Sequence, residues 1–449
     1  MLSPIRLFEP QLRTLLHFRL LRPAAVGALL VGCLLAAQPA SEAAPPPEFR
    51  TLQGNWIELV TDLPQSPGTA SLPASFDAAV PQWLEYWDVD LAQLGDWRLK
   101  VYLMADPAAF RRRGLLPAEL PDFRHGYAQG RTAWVVAQGS DYYSRHLVLH
   151  EGLHSLAFEL FGGAGPFWFM EGTAELLATH HGVGENLRLP VVPPNREATP
   201  LWGRLKLIGQ RRSAGRLPSI QSVMRFPNRL SNDVEPYAWS WAAAMFLHMY
   251  PEYRGELRAL APQGQDTSAE FTRTLYRRLY DDWPVLRARW RIFLDQFDYG
   301  FDLIRNRVEL DRAAPLWDPR QGHAKPLQVT IAADRGWQTS GVRLPAGSRL
   351  QLTAAGRYLL GRQPAPWVCE PQGVTVRYHR GRPLGRLLAT LVPTDPAATS
   401  AIAPLAIESI GRQGRVEVDE ESWLLLQVGD VPSEWADNEG EVTVQIRHE

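Results

Sequence analysis

The apolar positions change their period along the chain, and the changes mark out its parts. Short apolar-rich runs at Trp56–Val60, Leu99–Met104 and Thr132–Ala137 predict strands. Longer runs with helical spacing follow at Tyr142–Leu160, Trp168–His181, Tyr237–Tyr250, Ser268–Tyr280 and Pro284–Phe297. Early strands followed by a run of helices read as an α+β domain, placed at residues 44–310. Residues 311–326 are loop-like, punctuated by Pro315, Pro319 and Pro326, and read as a linker. From 327 to 449 short alternating runs (Ser348–Thr353, Val374–Tyr378, Ser422–Val428, Glu441–Ile446) are separated by turn residues, the pattern of an all-β sandwich.

The first 43 residues read as an address rather than as fold. Arg6, Arg13, Arg19 and Arg22 precede an apolar run from Ala24 to Ala37, too short to span a bilayer comfortably. Small residues follow, so 1–43 is expected to be a signal peptide cleaved after Ala43, and the protein secreted or periplasmic. Leu30-Val31-Gly32-Cys33 offers an alternative, a lipoprotein anchored through Cys33. The mature chain has no other stretch apolar enough for a transmembrane segment.

Composition narrows the function classes. The 449 residues suggest about two or three domains. Lys+Arg is 47 and Asp+Glu 48, a balance with no footprint for nucleic acid. With only Cys33 and Cys369, neither a disulfide framework nor a Cys-rich metal site can be built.

The chemistry concentrates in His150-Glu151-Gly152-Leu153-His154. Two His four apart share one helix face, so one ion can touch both. The Glu between them can act as general base, the logic of the HExxH pattern. The flanking Leu147, Val148, Leu149, Leu156, Ala157 and Phe158 place this helix inside a domain, where buried polar groups need a partner. On the next helix, Glu171 completes a two-His, one-carboxylate shell for Zn2+. Glu175, one turn further, can accept the free N–H of a ligating His. Without a metal the same residues would be a core helix with hydrogen-bonded His and an acidic stripe. His180 and His181, near the end of that helix, read as surface or dipole residues.

This constellation resembles the gluzincin zinc metallopeptidases, closely over Leu147–Ala178 and in general layout over 50–310. The resemblance implies a zincin-like fold, Zn2+ held by His150, His154 and Glu171, hydrolysis of a peptide or protein substrate, and Glu151 as the catalytic base. It also implies that Tyr237, in Tyr237-Ala-Trp-Ser240-Trp241, steadies the oxyanion, although packing alone would account for that side chain. In the same way it implies an edge strand beside the active helix that holds the peptide, a position the Thr132–Ala137 run fits.

A second resemblance covers Leu327 to Ile446. Gly336-Trp337, Pro371-Gln372-Gly373, Pro383-Leu384-Gly385-Arg386-Leu387 and Asp430-Val-Pro-Ser-Glu434-Trp-Ala-Asp437-Asn438-Glu-Gly440 are similar to the bacterial galactophilic calcium lectins. That family implies a galactose-binding-like sandwich, Ca2+ held by the side chains of Asp430, Asp437 and Asn438 and the carbonyls of Leu360 and Glu434, and a carbohydrate partner. Val374-Thr-Val-Arg-Tyr-His379-Arg lacks the family's His-Pro and Gln sugar contacts. An acidic hairpin loop with no ion is the plainer reading. Two functions stand: a secreted zinc metallopeptidase with an accessory lectin-like domain, or a non-catalytic surface carbohydrate- or protein-binding protein on a zincin scaffold.

Overall fold

The alternating runs of the first third build a five-stranded sheet. Its strands are β1 (Arg50–Gln53), β2 (Ile57–Thr61), β3 (Leu99–Met104), β4 (Gly126–Gln129) and β5 (Thr132–Val136), ordered β1-β2-β3-β5-β4. The middle three are parallel, and β1 and β4 run antiparallel to their neighbours. Side chains alternate between two faces, as a strand requires. Ile57, Leu59, Val101, Leu103 and Val135 enter the main core beside Phe76 and Trp83. Met104 and Trp134 point the other way, into a smaller cluster with Phe110 and Leu116. The expectation that the Thr132–Ala137 run forms the sheet edge is corrected: β5 lies between β3 and β4. Gly130, at φ 57°, and Arg131 turn the chain into a hairpin that lays Gly126–Gln129 outermost.

The computed structural model describes residues 48–229, 233–321 and 325–449. The expected leader and Cys33 lie outside the described residues. Helices of eight residues or more are α1 (Leu72–Trp87), α2 (Asp141–Phe161), α3 (Phe167–Ala178), α4 (Arg204–Ser213), α5 (Glu235–Met249), α6 (Pro251–Arg258), α7 (Ala269–Arg278) and α8 (Trp283–Gln296). The sequence pattern suggests none of α1, α4 and α6. Pro73 in the first turn of α1 and Pro81 within it mask the helical period, yet Phe76, Val80, Trp83 and Leu84 bury one face. No described helix is long and apolar enough to cross a membrane.

Residues 327–449 form two antiparallel sheets facing one core. One contains Leu327–Ala332, Arg349–Ala355, Gln413–Glu417 and Glu439–His448; the other contains Gln338–Leu344, Gln372–His379, Arg382–Pro393 and Ser422–Val428. Leu350, Leu352, Val442 and Val444 meet Leu387, Ala389, Leu424 and Leu426 between them. The architecture is thus an α+β N-terminal region followed by a β C-terminal domain.

The residues read as a linker are not a loose tether. Pro315 O accepts from Arg343 N at 2.9 Å and Trp317 N donates to Arg343 O at 2.8 Å, so this stretch edges the sandwich. Val285, Ala288 and Ile292 of α8 share a core with Leu388, Val392, Trp423 and Leu425 of the sandwich. Trp423 is fully buried and donates its indole N–H to Asp311 O at 3.0 Å. A core spanning both parts should make them unfold together. Trp423→Ala is expected to cost about 3–5 kcal/mol. Thermal unfolding of this variant should show one transition at lower temperature; two separated transitions would show independent parts.

Candidate metal centre

Helix α2 is assembled by local signals. Ser140 caps it, its Oγ accepting from Tyr143 N at 3.1 Å, and Asp141 sits in the first turn where the helix dipole favours an acid. Gly162, at φ 71°, ends it. Leu149, Leu153 and Leu156 bury one face, while His146, His150 and His154 recur every four residues along another. Helix α3 starts at Phe167, whose backbone N–H donates to Asn228 Oδ1 at 2.8 Å. It lays Glu171 and Glu175 against the histidine stripe.

Three of the expected ligands converge. His150 Nε2 lies 3.0 Å from Glu171 Oε2, His154 Nε2 lies 3.1 Å from His150 Nε2, and His154 Nε2 lies 3.6 Å from Glu171 Oε2. Donors about 2.0–2.2 Å from a tetrahedral zinc stand about 3.3–3.6 Å from one another. The observed spacing is within a few tenths of an ångström of that triangle. The donor chemistry agrees: two imidazole nitrogens and a carboxylate oxygen, all able to offer lone pairs, face one point. His150 Nδ1 is buried without a hydrogen bond, 4.0 Å from Glu175 Oε1. A proton on Nδ1 would leave Nε2 free to ligate. Burial alone would raise the Glu171 carboxyl, but His154 and His150 outweigh it and hold it at about 2, so it is ionised.

Glu175 is differently engaged from what was expected. Rather than hydrogen-bonding a ligating His, it accepts from Arg204 Nη2 at 2.6 Å and from Trp202 Nε1 at 3.2 Å, and lies 3.2 Å from His146 Nε2. Arg204 engages Oε1 and Trp202 engages Oε2, while Oε1 stays 4.0 Å from His150 Nδ1. Burial opposes its charge, yet Arg204 and His146 keep it well below the usual carboxylate range. A second group of possible ligands, His146, His150 and Glu175, converges here too, but the guanidinium already satisfies the carboxylate. Arg204, Trp202 and His146 were not anticipated. His146 extends the four-residue series visible in the sequence; Arg204 had no such signal. His180 is also corrected. It is buried, stacked on Tyr142 at 4.5 Å, and its Nε2 accepts from Arg145 Nε at 2.8 Å. Burial lowers its pKa to about 3, so it is a neutral packing residue.

A cavity of about 250 Å³ opens over the convergent ligands, lined by Glu151, Tyr237, Arg204 and the strand β4. Glu151 is buried beneath β4. A Cβ at Gly126 would stand 2.4 Å from Glu151 Oε1, so only glycine lets the strand pass this close. Burial raises the Glu151 carboxyl to about 8, with His154 pulling down and Glu171 pushing up. Tyr237 is half-buried in the cavity wall, its ring 5.3 Å from that of Phe167. Among the described residues, β4 has no strand on its outer side.

In the sandwich the expected calcium residues are partly gathered. Asp430 and Asn438 are buried, and the Leu359↔Glu439 pairing brings Leu360 alongside Asn438. Asp437 is exposed, its Oδ2 3.1 Å from where a Gly361 Cβ would lie. Glu434 carries a bidentate pair with Arg377 at 2.7 and 2.6 Å, which leaves its backbone carbonyl as the group it could offer an ion. Burial pushes Asp430 up to about 6.

No family model matches the chain, and no curated protein matches it. Two solved structures are similar to parts of it. One is described as the EclA N-terminal domain, a PllA-like lectin; it is 22% identical over 27% of this chain and 96% of its own length, with a TM-score of 0.21. Another is PliG of Aeromonas hydrophila, a periplasmic lysozyme inhibitor of g-type lysozyme; it is 7% identical over 32% of this chain and 99% of its own length, with a TM-score of 0.17.

Proposed function

We propose that the chain is a secreted zinc-dependent peptidase of the gluzincin type, with a lectin-like accessory domain. The convergence of His150, His154 and Glu171 within 3.0–3.6 Å, beside a buried general base, carries this reading. His150 Nε2, His154 Nε2 and a Glu171 oxygen would hold the ion. When bound, zinc supplies Lewis acidity and a water that ionises near neutral pH. The remaining chemistry belongs to the side chains. An extended peptide adds to the free edge of β4, which positions its backbone across the cavity. Glu151 takes a proton from the attacking water and returns it to the departing amide nitrogen. Burial raises the Glu151 carboxyl above the usual carboxylate range, which makes its ionised form a stronger proton acceptor. Tyr237 donates its hydroxyl to the oxygen that gains charge. The buried Arg204–Glu175 pair, with His146 beside the carboxylate, backs the histidine stripe.

The direct test is metal content by elemental analysis, then cleavage of an unfolded protein with and without a chelator. About one zinc per chain and chelator-sensitive cleavage support the proposal. A chain that neither retains zinc nor cleaves would favour a binding protein instead. A sharper probe is Gly126→Ala, whose methyl would push into Glu151. Turnover is expected to fall about 10–100-fold with zinc content unchanged, in line with small misplacements of catalytic groups. Unaltered turnover would remove Glu151 from the reacting position.

A further inference from the structure

The 430–438 loop carries two buried oxygens without partners. Asp430 and Asn438 are each 3% exposed. Asp430 Oδ1 accepts from Val431 N at 2.7 Å, and Asn438 Nδ2 donates to Ala333 O at 3.1 Å. Asp430 Oδ2 and Asn438 Oδ1 have no hydrogen-bond partner. Both are acceptors, so neither can satisfy the other. The nearby guanidinium of Arg377 is held by Glu434 through both its terminal nitrogens and is not free to neutralise Asp430. Hard divalent cations are the partners such oxygen sets accept, with carbonyls such as that of Leu360 completing the shell.

The outer side of the same loop presses on the N-terminal region. Gly300, at φ 72°, follows α8, and a Cβ there would stand 2.3 Å from Ser433 Cβ. Gly300 N donates to Pro193 O at 2.8 Å, and Val191 N donates to Thr179 O at 3.2 Å. Thr179 closes α3, its N–H donating to Glu175 O at 3.0 Å. The fully buried Trp435 packs beside Gly336, whose N–H donates to Arg305 O at 3.0 Å. A continuous run of contacts therefore leads from the loop to the end of the helix that presents Glu171.

We propose that a divalent cation captured by Asp430, Asn438 and Asp437 braces the N-terminal region through the Ser433–Gly300 contact, so that calcium stiffens the segment ending α3. The bracing concerns the fold around the metal centre and rests on the peptidase reading only for its consequence in catalysis. Structural coupling of this kind needs an element that both sites bias, and the contacts single out the 297–303 turn as the segment whose response decides it.

The test is hydrogen exchange on the full chain in calcium-depleted buffer, with and without added zinc, before and after millimolar CaCl2. Calcium should slow exchange about tenfold in peptides covering 428–440, 297–303 and 179–192, since added contacts raise the local opening free energy. Asp430→Asn should abolish the slowing in all three. Ser433→Gly, which removes only the side chain against Gly300, should keep it in 428–440 and lose it in the other two. Slowing confined to 428–440 in the unaltered chain, or none at all, overturns the proposal. A chain that binds no zinc but shows slowing in all three segments would refute the peptidase reading and leave the brace standing.

Discussion

Glu151→Gln is expected to lower peptide turnover by about 10²–10⁴-fold while leaving about one zinc per chain. The side chain keeps its size, and its neighbours are Gly126 above and the ligand cluster beside it, so the cavity survives the change. None of His150, His154 or Glu171 is touched, and their ligand atoms remain within reach of one another. What disappears is a carboxylate that can carry a proton. At about 1.4 kcal/mol per tenfold, the loss amounts to about 3–6 kcal/mol of transition-state stabilisation. His154→Ala should behave in the opposite way and lose bound zinc first, because it removes one corner of the triangle. Measuring metal content and initial rate on both variants separates the roles. Full turnover in the Gln variant, or unchanged zinc in the Ala variant, would end the assignment.

The convergence of His150, His154 and Glu171 was legible because they lie on long helices, where spacing determines direction. Four-residue spacing puts His150 and His154 on one face whatever else the fold does, and α2 and α3 are apolar enough to be recognised along nearly their whole length. Glu171 followed from the need for a third donor on the next helix. The reading failed where position depends on partners far away in sequence. Gly126–Gln129 is too short and too poor in β-branched residues to read as a strand, so only the hairpin turn and the pairing of Thr132–Val136 with β3 place it at the sheet edge. The strand Arg382–Pro393 lacks the alternation of a one-sided strand, because Leu387 and Ala389 enter one core and Leu388 and Val392 another. Arg204 lies 29 residues beyond Glu175, and nothing local marks it as that carboxylate's partner. Chemistry that needs two adjacent turns is visible in a sequence; chemistry that needs two loops brought together by the fold is not.

Arg204→Met should have a large, pH-dependent effect on stability. The guanidinium is buried, donates to Glu175 Oε1 at 2.6 Å through Nη2 and 3.3 Å through Nε, and holds Trp202 O at 3.2 Å. Removing it leaves a buried carboxylate facing only Trp202 and His146, a loss of about 3–5 kcal/mol for a broken buried pair. The pH dependence identifies the cause. In the native chain Glu175 is depressed, so its contribution is fully present above the unfolded-state value of about 4.3 and is lost as pH falls through the folded value. Without Arg204 burial dominates and the carboxyl is raised, so the variant loses stability as pH rises above about 4.3. The gap between the two proteins should therefore widen from pH 4 to pH 7 in urea unfolding, about as fast as a single ionisation allows. Glu175→Gln added to the variant should flatten the profile by removing the charge. A loss under about 1 kcal/mol that does not vary with pH would mean that solvent, not Arg204, satisfies Glu175 and that the metal centre is held by packing alone.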